Sequence, residues 1–269
     1  MSDMHTFTTA ISRIVSNETE EELILRGRRL TDLIRTASFA EAVFLMLTGR
    51  MPTPGQARTL DAAWTACVDH AITPAAMIGR AFASYGTSPT AAIAGGVLMF
   101  GEITGGAGEP MARLMSEALA RAGATGTEAS DDMIAEAART IVETAQKSGE
   151  RVPGFGIPAH AVDPRAPALL EVARKNGAAG VHCRLLVALE DELAKAKGRR
   201  IAINLDGIVA ALVLDLGLPI EATAAFVMIP RSFSTLAHFI EEKAQRTKWR
   251  HVPQEGVTYT GPMPEGSKT

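Results

Sequence analysis

One acidic residue stands before an apolar run in the segment Ile203-Asn-Leu-Asp-Gly-Ile-Val-Ala-Ala-Leu-Val-Leu214. The run from Ile208 to Leu214 is far shorter than the roughly 18 to 20 residues that a helix needs to cross a bilayer. It therefore predicts a helix buried in a protein core. Asp206 could cap that helix, or it could be a partly desolvated general base. The residues alone favour the cap.

The sequence on either side of this stretch predicts more helices. Apolar residues share one face at helical spacing in 182–197 and in 56–70. Ser130, followed by two aspartates, predicts a helix N-cap, with the helix running to about Lys147. Aromatic residues make up only 5% of the chain, and strict alternation of apolar and polar residues is nearly absent. The chain is therefore predicted to be all-α.

The composition limits the classes of function. The 269 residues are 46% hydrophobic, enough for one large domain or for a large and a smaller one. A net charge of −3 argues against nucleic acid as a partner. Cys67 and Cys183 lack the spacing of zinc or redox motifs and are predicted to be buried thiols, so neither a metal nor a covalently bound cofactor is expected. The start of the chain shows no pattern of a secretory signal, which predicts a cytoplasmic protein outside the membrane.

Two glycine-rich segments could approach a ligand closely. They are Gly101–Glu109 and Val152–Gly156, the second of which leads to Asp163-Pro-Arg165. Neither fits a phosphate-binding loop or a dinucleotide fingerprint. Each could also be a plain connector between helices, and the residues alone favour the connector.

Single charged residues supply further candidates. Arg231 follows Pro230 in an otherwise apolar helical segment and requires an anionic partner, either a structural carboxylate or one belonging to a ligand. His70 and His160 lie in turns near proline and stand out among the histidines.

Seven segments, taken in order, resemble the citrate synthase superfamily and particularly its short citryl-CoA lyase-like branch. They are Leu25–Leu30, Ser38–Val43 with Leu47–Gly49 and Met51–Thr53, Asp69-His-Ala-Ile-Thr73, Gly101–Glu109, Pro153–Gly156 through Arg165, Ile203–Asp206, and Arg231 with Tyr259-Thr-Gly-Pro262. The first two resemble the opening helices of the family. The likeness covers nearly the whole chain.

This resemblance implies an all-helical protein that assembles as a homodimer or a dimer of dimers. Residues 1–109 and 216–269 would form a large domain, and residues 110–215 a smaller one that closes over the active site. The substrates implied are a CoA thioester and a small carboxylic acid. In such enzymes an aspartate removes a proton from acyl-CoA, histidines stabilise the enol and the carbonyl, and citryl-CoA lyases run the cleavage direction.

The resemblance assigns roles to individual residues. Asp206 takes the place of the catalytic aspartate, while His70, Arg165 and Arg231 take positions that hold carboxylates. The segment that meets the adenine of CoA through backbone groups corresponds to Val152, Pro153, Gly154, Phe155 and Gly156. Lys197, Arg199 and Arg200 could meet phosphates, but their charge alone favours a solvated basic turn.

Two departures from the family concern its histidines. Thr104 replaces the first, and its hydroxyl can donate one hydrogen bond but cannot carry a positive charge. Ile157 replaces the second and can donate nothing. The segment from Ile157 to Asp163 is one residue shorter than in the family, and His160 within it is a candidate catalytic residue.

These departures leave three hypotheses. The first is an enzyme that makes or cleaves a C–C bond in a CoA thioester or a related acid, with Asp206 as base and Thr104 as donor. The second is a catalytically inactive relative that binds an acyl-CoA or an organic acid. The third is a protein that shares only the fold. The sequence does not separate the three.

Overall fold

A computed structural model describes residues 7–101, 103–124, 128–156 and 163–266 of the chain. Within these ranges it contains three strands and eleven α-helices. The predicted all-α class is confirmed, apart from one small sheet at the start of the chain.

The small sheet is antiparallel and has the strand order β1 (Ser12–Asn17), β2 (Glu20–Leu25) and β3 (Arg28–Arg29). The side-chain oxygen of Asn17 accepts the backbone N–H of Thr19 and closes the first turn. The prediction that Leu25–Leu30 opens a helix was wrong for most of that segment, which forms a turn and β3. The alternation was missed because β1 is exposed on nearly its whole length and buries no regular apolar face.

Helices fill the remainder of the described chain. They are α1 (Leu30–Thr36), α2 (Phe39–Thr48), α3 (Pro54–Cys67), α4 (Pro74–Ser84), α5 (Pro89–Leu98), α6 (Gly108–Arg121), α7 (Asp131–Ser148), α8 (Arg165–Lys175), α9 (Val181–Lys197), α10 (Leu205–Asp215) and α11 (Ala222–Ala244). The predicted cap of α7 is confirmed, because the Ser130 hydroxyl oxygen accepts the N–H of Met133 at 3.2 Å. None of the described helices is both long enough and apolar enough to cross a membrane.

The chain divides into two compact units, of which the first comprises Met1–Asp69 and Phe100–Arg231. At its centre lies α10, which packs against α3, α6, α8 and α9. Ile208 and Leu212 are fully buried, which confirms the prediction of a core helix. The predicted smaller domain, residues 110–215, falls inside this unit, and its division from a large domain stays a prediction.

The second unit comprises His70–Met99 and Ser232–Thr269. Here α4 and α5 approach the residues of α11 that belong to this unit, and a Cβ at Gly96 would lie only 2.5 Å from the Thr235 hydroxyl oxygen. The fully buried Glu242 accepts hydrogen bonds from Arg80 at 2.6 Å and from Arg250 at 2.6 Å. This unit is therefore held by both close helix packing and a buried ion network.

Asp215, the last residue of α10, caps the start of α9 from a distance. Its carboxylate accepts the backbone N–H groups of Gly180 (2.7 Å), His182 (3.0 Å) and Cys183 (3.0 Å), and its Oδ1 lies 2.8 Å from His182 Nδ1. Burial raises the pKa of Asp215, but these hydrogen bonds outweigh it and the pKa is lowered. The carboxylate thus fixes one end of α9 to one end of α10.

Replacing Asp215 by Asn is expected to lower the free energy of unfolding by about 2 kcal/mol, because one amide oxygen cannot accept the bonds of two carboxylate oxygens. Since the folded-state pKa is depressed, the ionised carboxylate stabilises the protein above its ordinary pKa of 3.8 and loses that effect as the pH falls through the folded value. Urea unfolding at pH 7 and at decreasing pH measures both effects. The exposed Asp191→Asn is the control, and equal stability of the Asp215→Asn variant and the wild type would contradict the assignment.

Candidate active site

Asp206 lies in the first turn of α10, but it is not the cap of that helix. The side-chain oxygen of Asn204 accepts the N–H of Gly207 at 3.1 Å and has that role, so the interpretation of Asp206 as a cap was wrong. Burial raises the pKa of the Asp206 carboxyl, and Asp163 raises it further, whereas Arg165 and Arg231 lower it, with a net upward shift. A carboxyl with raised proton affinity is suited to accept and return a proton.

Arg165 begins α8 beside this carboxyl and pairs with Asp163 through two parallel hydrogen bonds. Arg165 Nε donates to Asp163 Oδ1 at 2.9 Å, and Nη2 donates to Oδ2 at 2.8 Å. The remaining nitrogen, Nη1, is buried and has no hydrogen-bond partner among the described residues. Since a buried donor without a partner costs free energy, this nitrogen is available to an acceptor such as a carboxylate oxygen.

Arg231 lies close to the same group of charges. Only 6% of the residue is exposed, and its Nε donates to the backbone carbonyl of Cys67 at 2.8 Å. Burial lowers the pKa of Arg231, Asp69 raises it, and Arg165 lowers it again. Two guanidinium groups that repel each other beside a carboxyl form a site that an anion stabilises.

Cys67 and Cys183 are both buried, which confirms the prediction of two buried thiols. Burial raises the pKa of Cys67 to about 12, although it lies near Arg231 and Arg165. Its thiol is therefore protonated near neutral pH and is not a nucleophile.

The glycine-rich segment Val152–Gly156 is bound to the segment that precedes α10. Asn204 N donates to Gly154 O at 3.0 Å, Gly156 N donates to Ala202 O at 2.8 Å, and the Asn204 side chain donates to Gly156 O at 2.8 Å. Gly154 has a positive φ of 82° and lies directly against Gly207. Val152–Gly156 is thus more than a plain connector, because it holds the start of the helix that carries Asp206.

The other side of this segment forms part of an open cleft of about 730 Å³. Among the described residues, four cationic side chains line it, Arg151, Lys197, Arg199 and Arg200, against one carboxylate, that of Glu150. The basic turn and the glycine-rich segment therefore lie on the same cleft, as a shared CoA ligand would require. The part of Arg151 in this cleft was not predicted.

The structure gives less detail on the other predicted site residues. Thr104 is half-buried in the loop before α6, where its carbonyl accepts the N–H of Gly101 at 3.0 Å. No contact within the described ranges joins its hydroxyl to Asp206. His70 is half-buried and belongs to the second unit. Ile157 and His160 lie outside the described residues.

Asp163 was not predicted as a site residue from the sequence. It is almost completely buried and orients Arg165, and the signal available was its position two residues before that arginine. Across the residues that the structure describes, no group of three His, Cys, Asp or Glu side chains could hold a metal ion.

Comparison with known proteins identifies relatives of this arrangement. The family model "Citrate synthase, C-terminal domain" matches residues 46–251. A citrate/2-methylcitrate synthase of Bacillus subtilis is 25% identical over 85% of this chain and 58% of its own length. A citrate synthase of Dictyostelium discoideum is 27% identical over 81% of this chain and 42% of its own. The chain thus spans about half the length of these curated relatives.

Solved structures give a fuller match. The citryl-CoA lyase of Hydrogenobacter thermophilus superimposes with a TM-score of 0.84 at 29% identity, covering 97% of both chains. An ATP citrate lyase of Methanosaeta concilii, solved in complex with (3S)-citryl-CoA, matches with a TM-score of 0.76 at 20% identity, over 98% of this chain and 43% of its own. The second match concerns the fold alone.

Proposed function

Because the chain belongs to the citrate synthase family, we propose that it makes or cleaves a C–C bond in a CoA thioester or a related polycarboxylic or β-keto acid, with altered acid–base residues. The observation that carries the proposal is the buried, unpartnered Nη1 of Arg165 beside Asp206 and Arg231. A structural ion pair alone would not leave that donor unused. A substrate carboxylate would satisfy it.

The residues divide the chemistry among them. Arg165 and Arg231 hold the carboxylates of the acid, because the guanidinium group matches a carboxylate in geometry and charge. The same role for His70 rests on the family resemblance alone. In the cleavage direction the hydroxyl on the carbon that becomes the ketone gives up its proton, for which His160 is the candidate acceptor, and the electrons of the broken C–C bond form an enolate at the thioester. Asp206 supplies the proton that the enolate carbon takes up, and in the synthetic direction it removes that proton. The raised pKa of Asp206 suits both tasks.

The groups that differ from the family are the hydrogen-bond donors to two oxygens, that of the thioester enolate and that of the second substrate's carbonyl. Thr104 offers one neutral hydrogen bond to the enolate oxygen, and Ile157 offers none to the carbonyl. His160 is the remaining candidate for the second position. Each positioned acid or base contributes about 10²- to 10⁴-fold to a rate, so this chain should make and cleave the C–C bond more slowly than a relative with both histidines, and should synthesise citrate very slowly.

CoA is the proposed co-substrate, and the basic cleft is its proposed site. The structures of ATP citrate lyases from Methanosaeta concilii and Methanothrix soehngenii hold citryl-CoA and CoA respectively. In this chain Val152, Pro153, Gly154, Phe155 and Gly156 would meet the adenine. Lys197, Arg199 and Arg200 line the same cleft and would meet the phosphates. The family's homodimer is the proposed assembly.

The experiment that tests the proposal measures both directions with the purified protein. Citryl-CoA is expected to be cleaved to acetyl-CoA and oxaloacetate, whereas citrate formation from those two should lie far below the turnover of about 1 to 10³ s⁻¹ that enzymes commonly reach. Citrate formation at such an ordinary rate would contradict the proposed change of chemistry.

A second candidate is an inactive relative that binds an acyl-CoA or an organic acid. It is favoured by one observation, the retention of the Arg165 and Arg231 pocket in a chain whose family histidines are replaced. This candidate predicts that citrate or CoA binds while no substrate is turned over.

A further inference from the structure

The segment from Arg199 to Ile203 runs between two cavities. On one side lies the basic cleft, and on the other a cavity of about 220 Å³ lined by α8, α9 and α10. Arg200 and Ala202 line both. Ile201 and Ile203 pack partly against the core, and polar contacts also fix the position of the segment between the two cavities.

Two hydrogen bonds to Glu190 of α9 fix the position of this segment. Its Oε1 accepts the backbone N–H of Ile203 at 3.0 Å, and its Oε2 accepts Arg200 Nη2 at 2.8 Å. The Glu190 side chain is only 13% exposed, whereas that of Arg200 is 67% exposed. One carboxylate therefore joins a half-buried backbone segment to a solvated cation.

This attachment lies close to the candidate base. Ile203 is followed directly by Asn204, which caps α10 and bonds to Gly154 and Gly156, and Asp206 comes two residues after Asn204. A shift of Ile203 therefore reaches the first turn of α10. The path is short and continuous, because two hydrogen bonds, Ile203 to Glu190 and Gly207 to Asn204, are joined through the backbone.

We propose that Glu190 is a positioning residue that couples occupation of the basic cleft by a diphosphate group to the geometry of Asp206. A diphosphate in the cleft competes with Glu190 for the guanidinium group of Arg200. When Arg200 turns to the ligand, Glu190 loses one of its two partners and holds Ile203 differently. The inference rests on the proposed function only in taking CoA as the natural bearer of the diphosphate.

If a diphosphate and Glu190 compete for Arg200, a variant without the Glu190 charge should bind the diphosphate more tightly, which a damaged fold would not cause. In the Glu190→Gln variant the amide oxygen still accepts the N–H of Ile203, but the charge that retains Arg200 is gone. Inorganic pyrophosphate, the probe, should bind this variant about two- to fivefold more tightly than the wild type, the range that a largely exposed ion pair is worth. Arg200→Gln should bind it more weakly. Glu192→Gln, which removes the ion pair with Lys195 on the same helix, should leave the affinity unchanged.

Calorimetric titration gives the affinities, and hydrogen exchange of peptides containing Ile203–Asp206 gives the coupling. Pyrophosphate should change exchange of these peptides in the wild type and leave it unchanged in Arg200→Gln, whose substitution is on the surface and spares the fold. Equal affinity of Glu190→Gln and the wild type, unchanged exchange in the wild type, or no binding of pyrophosphate to either protein overturns the inference.

A parallel titration with CoA separates this inference from the proposed function. If pyrophosphate shows the Glu190 effect but CoA does not bind, the proposed use of CoA fails and the coupling stands. If CoA binds but pyrophosphate binds Glu190→Gln no better than the wild type, the coupling fails and the proposed function stands.

Discussion

Replacing Asp206 by Asn is expected to lower the turnover of citryl-CoA by about 10²- to 10⁴-fold, the range for loss of a positioned acid or base. An amide has nearly the same shape and can neither take up nor release the proton. Arg165 and Arg231 remain, so citrate should still bind. Coupled assay of acetyl-CoA release measures turnover, and Asp61→Asn, at a surface ion pair with Arg58, is the control.

The pH dependence gives an independent check on Asp206. Because its pKa is raised above 3.8, the ionised base is lost progressively as the pH falls through that raised value. In the synthetic direction the rate should therefore fall on the acidic side, and this limb should be absent from the residual activity of Asp206→Asn. If the variant cleaves citryl-CoA at the wild-type rate, Asp206 is not the proton carrier.

A large loss of stability is expected for Gly207→Ala. Alanine in place of glycine usually stabilises a helix by about 1 kcal/mol. At this position the added Cβ would lie 2.4 Å from the carbonyl oxygen of Gly154, which is backbone and cannot rotate away. The loss is expected to be about 3 kcal/mol. This corresponds to a fall of about 6 to 12 °C in the midpoint of thermal unfolding.

The matched control is Gly101→Ala, where a Cβ would meet nothing within 4 Å. Its midpoint should stay within a few degrees of the wild type. A Gly207→Ala variant as stable as the wild type would show that the Val152–Gly156 segment does not press against α10.

Helices and their ends were the part of the fold that the sequence could predict. The Ser130 cap and the apolar run from Ile208 to Leu214 are local signals, and both correspond to observed elements. The strands were missed because β1 and β2 bury only part of either face, so their pattern shows no clear period of two.

The site could be predicted mainly through the family resemblance, which gave Asp206 the role of proton carrier and Arg165 and Arg231 that of carboxylate binding. From residue types alone, only Arg231 was expected to need an anionic partner, and the structure places both arginines where they influence Asp206. The bonds that position them join distant parts of the chain, such as Asn204 with Gly156 and Ile203 with Glu190. No local pattern contains such pairs, because each partner is specified only by the packing of the helices between them.

Titration of citrate into the wild type and Arg165→Lys by calorimetry tests the anion pocket directly, because both proposed functions require it. Lysine keeps the charge beside Asp163 but cannot offer the fork whose Nη1 is unused. The variant should bind citrate about 10- to 100-fold more weakly, and Arg139→Lys, at a surface ion pair, should match the wild type. Equal affinity in Arg165→Lys, or no binding to the wild type, would contradict the account.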